Sequence, residues 1–122
     1  VDQEANLIND TIGENLSSTL STTSKTPLSY LKEHLDKPVG DSGGKLSSGE
    51  KQRILLTRCL SYQPQVLILD ETLSALDEAS AQDLLKLIFQ NVPTVILVTH
   101  RESLVQGFKH IYRLEAGQLQ AR

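Results

Sequence analysis

The sequence contains no methionine and no tryptophan, only one cysteine, and few aromatic residues: three tyrosines and two phenylalanines, 4% of the chain. The lone thiol, Cys59, excludes an internal disulfide, and His34, His100 and His110 are too scattered for a zinc-type ligand spacing. A reduced setting is the expectation. Basic residues form no runs, and 12 Lys and Arg against 15 Asp and Glu leave a net charge of −3, so no nucleic-acid footprint is visible. The longest apolar runs, Val66 to Leu69 and Val95 to Val98, fall far short of the roughly 20 residues that span a bilayer. No direct membrane insertion is expected. The opening Val1-Asp2-Gln3-Glu4 is polar where a signal peptide needs a basic start and an apolar stretch. A chain without methionine that opens at Val1 is expected to be cut from a longer protein.

What is present suffices for one modest folded unit: 122 residues, 39% hydrophobic and 22% charged. Thr11 and Glu14 are spaced as a capping box, with Ile12 and Leu16 on one face of a short helix that Gly13 weakens. Ser17 to Thr26 is almost all Ser and Thr and reads as an exposed connection. Thr26 and Pro27 then suit the start of a second helix, with Leu28, Leu31 and Leu35 as its stripe, ended by Pro38 and Gly40. A glycine-dense loop, Val39 to Lys45, precedes Ser47-Ser48-Gly49-Glu50, a second capping box opening a helix through about Leu60. Its buried face is expected to hold Ile54, Leu55, Cys59 and Leu60.

Val66-Leu67-Ile68-Leu69 reads as a strand buried on both faces, as in a parallel sheet, and Thr94 to Thr99 repeats the pattern. Between them Ala79 to Gln90 carries Leu84, Leu85, Leu87 and Ile88 at helical spacing, long enough to cross over and return a parallel neighbour. The unit is βαβ. A short helix near Glu102 to Val105 leads to a terminal hairpin turning at Ala116-Gly117.

The chemistry gathers at the strand ends. Asp70 and Glu71 close the first strand and Thr99-His100 the second, so two acids and an imidazole meet at the carboxyl edge of a parallel sheet, where α/β proteins bind ligands. Each element alone has a plainer reading: an acidic surface turn, a histidine at a strand end, a helix cap for Asp77, a capped helix for Ser47 and Glu50, a solvated terminus for Gln3.

Together they carry a resemblance. Leu46-Ser47-Ser48-Gly49-Glu50-Lys51-Gln52-Arg53 resembles the signature motif of ATP-binding cassette (ABC) ATPases. Val66 to Glu71 resembles their Walker B strand, Ser74 to Asp77 their D-loop, and Val98-Thr99-His100 their switch-histidine segment. Gln3 with Ile8 to Leu16 is similar to the glutamine-loop region of exporters, and Val39 to Gly44 to their X-loop. Ser48 stands where the signature usually has its first glycine, Glu50 where glutamine is frequent, and Leu73 where threonine is usual. The phosphate-cradling pattern G-x-x-x-x-G-K-[ST] occurs nowhere; Gly44-Lys45 comes closest, with Val39 in place of the first glycine and Leu46 after the lysine.

The resemblance implies an α/β fold: the C-terminal part of a P-loop NTPase domain, without its Walker A part. It would comprise residues 1–50, from glutamine loop to signature in the helical subdomain, and residues 51–122, the later part of the RecA-like core. It implies the ATP-binding and ATP-hydrolysing motor of an exporter at the cytoplasmic face of a membrane, with ATP and Mg²⁺ as cofactors. Its partners would be a second nucleotide-binding domain, head to tail, and the transporter's transmembrane domains. Asp70, with Gln3, would hold Mg²⁺ largely through water, Glu71 would be the general base, and His100 would sense or stabilise the γ-phosphate. Ser47, Ser48, Gly49 and Glu50 would face the partner's nucleotide from a helix amino end, and Asp77 completes the nucleotide-binding set. Glu71 and His100 form the catalytic pair. The alternatives are the cassette of a non-transport ATPase acting in translation or DNA repair, and a docking module without nucleotide turnover.

Overall fold

The computed structural model describes residues 7–20 and 29–122, without the side chains of 17–20 and 29–30. Gln3, Thr26, Pro27 and Leu28 therefore lie outside the described residues.

Helix α1 spans Ile12–Leu20. Thr11 caps it, its hydroxyl accepting from the Glu14 amide at 3.1 Å, while the Thr11 amide donates to the Asp10 carboxylate rather than to Glu14. The helix outlasts the expected boundary at Leu16, running through Ser17, Ser18 and Thr19 to Leu20. Packing of Ile12 and Leu16, both fully buried, outweighs the weak helix propensity of Ser and Thr. Helix α2, Ser29–Lys32, ends earlier than expected; Leu31 is buried and Leu35 half-buried, but tight turns follow Lys32. Gly13 packs where a Cβ would sit 3.2 Å from the Leu35 carbonyl, and its own amide donates to that oxygen.

After a 3₁₀ turn at Asp41–Gly43, helix α3 occupies Ser48–Ser61. Its capping box is complete: Ser47 Oγ accepts from the Glu50 amide at 3.2 Å and the Glu50 carboxylate accepts from the Ser47 amide at 2.8 Å. Replacing Ser47 by Ala is expected to cost about 1 kcal/mol of stability through loss of this cap. A lower urea midpoint for the variant at unchanged slope is the check.

Strand β1, Val66–Asp70, pairs in parallel with β2, Thr94–Val98, in the register Val66 to Thr94 through Asp70 to Val98. Helix α4, Glu78–Asn91, crosses between them. A 3₁₀ segment, Glu102–Gly107, leads to an antiparallel hairpin of β3, Tyr112–Glu115, and β4, Gln118–Ala121. Ala116 and Gly117 both take positive φ in its turn, as a two-residue hairpin loop requires.

Two apolar clusters meet along α3. Leu7, Ile12, Leu16, Leu31, Val39 and Leu46 gather on Ile54 and Leu55. Leu56 and Leu60 face the other way, into the cluster built from β1, α4 and the segment beyond β2. Cys59, expected on the buried face, is only partly buried. Asn15 stitches α1 to α3, taking bonds from Arg58 at its carbonyl and its side-chain oxygen, both 2.9 Å.

One expectation fails. Leu67 and Leu69 are buried, but Val66, Ile68, Ile96 and Val98 are each about half exposed. The sheet is covered by α4 on one face and bare on the other among the described residues. A parallel sheet normally has both faces packed; with two strands and one crossover helix, this unit supplies cover for a single face.

Candidate functional site

The β1–β2 register delivers Asp70 and Val98 to the same level of the sheet edge. One residue further the ladder continues: the Glu71 amide donates to the Val98 carbonyl at 3.0 Å. Glu71 holds a left-handed conformation, φ 49°, which costs a non-glycine residue of order 1 kcal/mol and is typical of functional turns. That turn swings its carboxylate beside the next strand's end, where a Glu71 oxygen lies 3.0 Å from His100 Nδ1. The pair is open to solvent, with the His100 side chain 73% and the Glu71 side chain 38% exposed. His100 Nε2 makes no hydrogen bond among the described residues, leaving that nitrogen available to an incoming group.

Asp70 is exposed at the tip of β1, and its carboxylate has no protein partner among the described residues. A single hard carboxylate open to water is the donor type that suits Mg²⁺, which keeps several waters and binds through one or two carboxylates plus phosphate oxygens. The residues present fit that ion. Thr72, which the sequence did not single out, is buried and donates from Oγ1 to the Asp70 carbonyl at 3.2 Å. Leu73 has a packing role: it is buried in the main cluster.

The amino end of α3 forms the second part. Ser47 and Ser48 are exposed. The cap uses Ser47 Oγ as acceptor, so its O–H proton remains available to a ligand. Glu50 is different: it is buried, and its carboxylate is engaged by the Ser47 amide and by Lys37 Nζ. It therefore shapes the helix end rather than presenting a free carboxylate. Gly49 sits against the loop after β1, where a Cβ would approach Leu76 Cδ2 to 3.1 Å.

Asp77 caps α4, its carboxylate accepting from the Ser80 amide at 2.9 Å. The Ser80 side-chain and backbone hydrogen bonds hold its carboxyl below the usual range. Arg53 Nη2 reaches Ser80 Oγ at 3.3 Å, tying α3 to α4. A residue with no pattern in the sequence completes the site: Arg101, next to the histidine, binds the carbonyls of Leu73 and Leu76 at 3.1 and 2.9 Å and pairs with Glu78. Its only sequence signal was a basic residue beside a candidate histidine.

The structure thus brings Asp70, Glu71 and His100 to one edge and sets Gly49 against the loop that carries Asp77, with Ser47 and Ser48 exposed just before it; Gln3 lies outside the described residues. An acid pair and an imidazole at the carboxyl edge of a parallel βαβ unit stand where α/β proteins bind their ligands. The ABC transporter family model matches residues 1–74, and the chain belongs to that family. It is 33% identical to the ATP-dependent lipid A-core flippase of Albidiferax ferrireducens over 98% of this chain and 23% of that protein. It is 34% identical to the ATM1-type heavy metal exporter of Novosphingobium aromaticivorans over 98% of this chain and 22% of that protein. A solved bacterial Atm1-family ABC exporter with ATP bound superposes with a TM-score of 0.76 at 31% identity, covering 98% of this chain and 24% of that one. The chain spans about a quarter of the length of these relatives.

Proposed function

We propose that this chain belongs to the ATP-hydrolysing motor of an ABC exporter, coupling nucleotide turnover to movement of a substrate across a membrane. The observation that carries the reading is the Glu71–His100 contact, 3.0 Å across the ends of two parallel strands. It puts a base and an imidazole together at an edge open to solvent.

Glu71 then accepts a proton from the attacking water, while His100, oriented through Nδ1, meets the terminal phosphate with Nε2. Asp70, with Gln3, would hold Mg²⁺ largely through water, and the bound ion would supply charge neutralisation at the phosphoryl group. Ser47, Ser48 and the amides at the amino end of α3 bind phosphate of a neighbouring cassette. Glu50 supports them through the capping box, and Asp77 fixes the loop beside them by capping α4. Two copies, or two related cassettes, would meet head to tail at the cytoplasmic face of a membrane, with transmembrane domains supplying selectivity. No helix among the described residues is long and apolar enough to cross a membrane. Residues 1–50 would form part of a helical subdomain and residues 51–122 part of the core, joined through α3, whose Ile54 and Leu55 pack in the earlier apolar cluster and Leu56 and Leu60 in the later.

The bare face of Val66, Ile68, Ile96 and Val98 is where the remaining strands and helices of the domain would pack. The full-length protein is expected to hydrolyse ATP only with Mg²⁺ present, to lose that activity in EDTA and to regain it on Mg²⁺ addition. The 122-residue chain alone, which lacks the phosphate-cradling pattern, is expected to show no turnover. Absence of ATP hydrolysis by the reconstituted full-length protein would overturn the proposal.

A further inference from the structure

Between the acid pair and α4 the chain makes a loop, Leu73 to Asp77, whose Ser74 and Ala75 are exposed. Two bonds of its own hold it, from the Ser74 amide to the Glu71 carbonyl and from the Leu76 amide to the Leu73 carbonyl. The carbonyls of Leu73 and Leu76 are both bound by one nitrogen, Arg101 Nη1, at 3.1 and 2.9 Å. Nη2 of the same guanidinium pairs with Glu78 in the first turn of α4. The Arg101 side chain is only 18% exposed. Its backbone is held too, the amide donating to Thr99 Oγ1 at 3.0 Å and the carbonyl accepting from the Leu104 amide at 3.1 Å. Hydrogen bonding first to Ser103 and then to Arg101 holds the Glu78 carboxyl below the usual range.

Each end of this linkage reaches a different part of the site. Arg101 directly follows His100, which touches Glu71. Leu76, whose carbonyl it holds, lies against Gly49 at the amino end of α3, where Ala75 O is also within 3.8 Å of a Cβ position on Gly49. A planar guanidinium fork can span several acceptors in fixed geometry, which an ammonium point charge cannot.

We propose that Arg101 is a positioning residue that rivets the 73–77 loop to the histidine-bearing strand end, so that the Glu71–His100 edge and the amino end of α3 are held as one rigid unit. Through it, the half site that a subunit keeps for its own nucleotide is coupled to the half it offers a neighbour. The inference rests on the ATPase reading above and deepens it by adding a residue that acts through the loop carbonyls it binds.

The experiment uses the full-length transporter in lipid vesicles, with native cysteines replaced and a nitroxide label on Ser74→Cys. Turnover is followed in parallel in the unlabelled protein. Arg101→Gln is expected to free the label in the nucleotide-free state and to lower kcat at least tenfold while KM for ATP stays within twofold. Arg101→Lys, the safer variant for folding, keeps the charge but loses the fork. It is expected to free the label as well and to leave kcat at least fivefold below wild type. The proposal is overturned if the label is unchanged in both variants, if kcat stays within twofold of wild type, or if Lys restores full turnover, since charge alone would then explain the residue. If the unsubstituted transporter hydrolyses no ATP, the ATPase reading fails, and the label spectra still decide whether Arg101 holds the loop.

Discussion

Replacing Glu71 by Gln in the full-length protein is expected to cut ATP turnover by about 10²- to 10⁴-fold, the usual contribution of a general base, while ATP affinity stays within about threefold. The fold change corresponds to roughly 3–5 kcal/mol of transition-state stabilisation. Gln is isosteric and its amide oxygen can still accept from His100 Nδ1. The backbone bond from residue 71 to Val98 O and the left-handed turn at φ 49° are untouched. The substitution therefore removes proton acceptance and charge, and little else. Steady-state hydrolysis together with equilibrium ATP binding separates the two quantities. Turnover within fivefold of wild type would remove Glu71 from the role of base, and parallel loss of binding would place it in the nucleotide cradle instead.

Leu69→Ala is expected to destabilise the chain by about 2–5 kcal/mol, the range for emptying a fully buried leucine site. Leu69 is 0% exposed and packs in the cluster with Leu67, Leu73, Leu84 and Ile88. Against the roughly 5–15 kcal/mol that holds an ordinary domain together, such a loss is a large fraction. It falls one residue before Asp70, so the site's edge is expected to loosen with the core. Ile68→Ala is the informative neighbour. Ile68 points to the bare face and is 52% exposed, so in this chain the change is expected to cost no more than about 1.5 kcal/mol, from partial loss of apolar burial. In the full-length protein, where that face is proposed to be covered, the same substitution is expected to approach the cost of Leu69→Ala. Urea midpoints for the chain and thermal inactivation of the full-length protein are the measurements. Equal, small effects of Ile68→Ala in both would show that nothing packs on the face.

Elements governed by local rules could be read from the sequence. Ser47 and Glu50, three residues apart before an apolar-periodic stretch, announced a capping box, and the box is complete. Two short apolar runs separated by a helical repeat announced β1, α4 and β2, and with them the meeting of Asp70, Glu71 and His100 at one edge. Local rules failed where packing overrode propensity, as in the continuation of α1 through Ser17, Ser18 and Thr19, and where a helix was expected through Leu35 but α2 stops at Lys32.

By itself the sequence determined the order of the elements, the two helix caps that lie beside the site and the edge at which the acids and the histidine gather. Each of these follows from spacing within a few residues or from the alternation rules of strands and helices. Only the tertiary structure decided that the sheet has one bare face, that Glu71 turns left-handed to reach His100, that Lys37 also engages the Glu50 carboxylate, and that Arg101 binds the loop carbonyls. Those outcomes depend on groups far apart in the chain, 29 residues for Glu71 and His100 and 28 for Leu73 and Arg101. A hydrogen bond between such groups is set by how β1, α4 and β2 pack together, and no local pattern encodes its geometry.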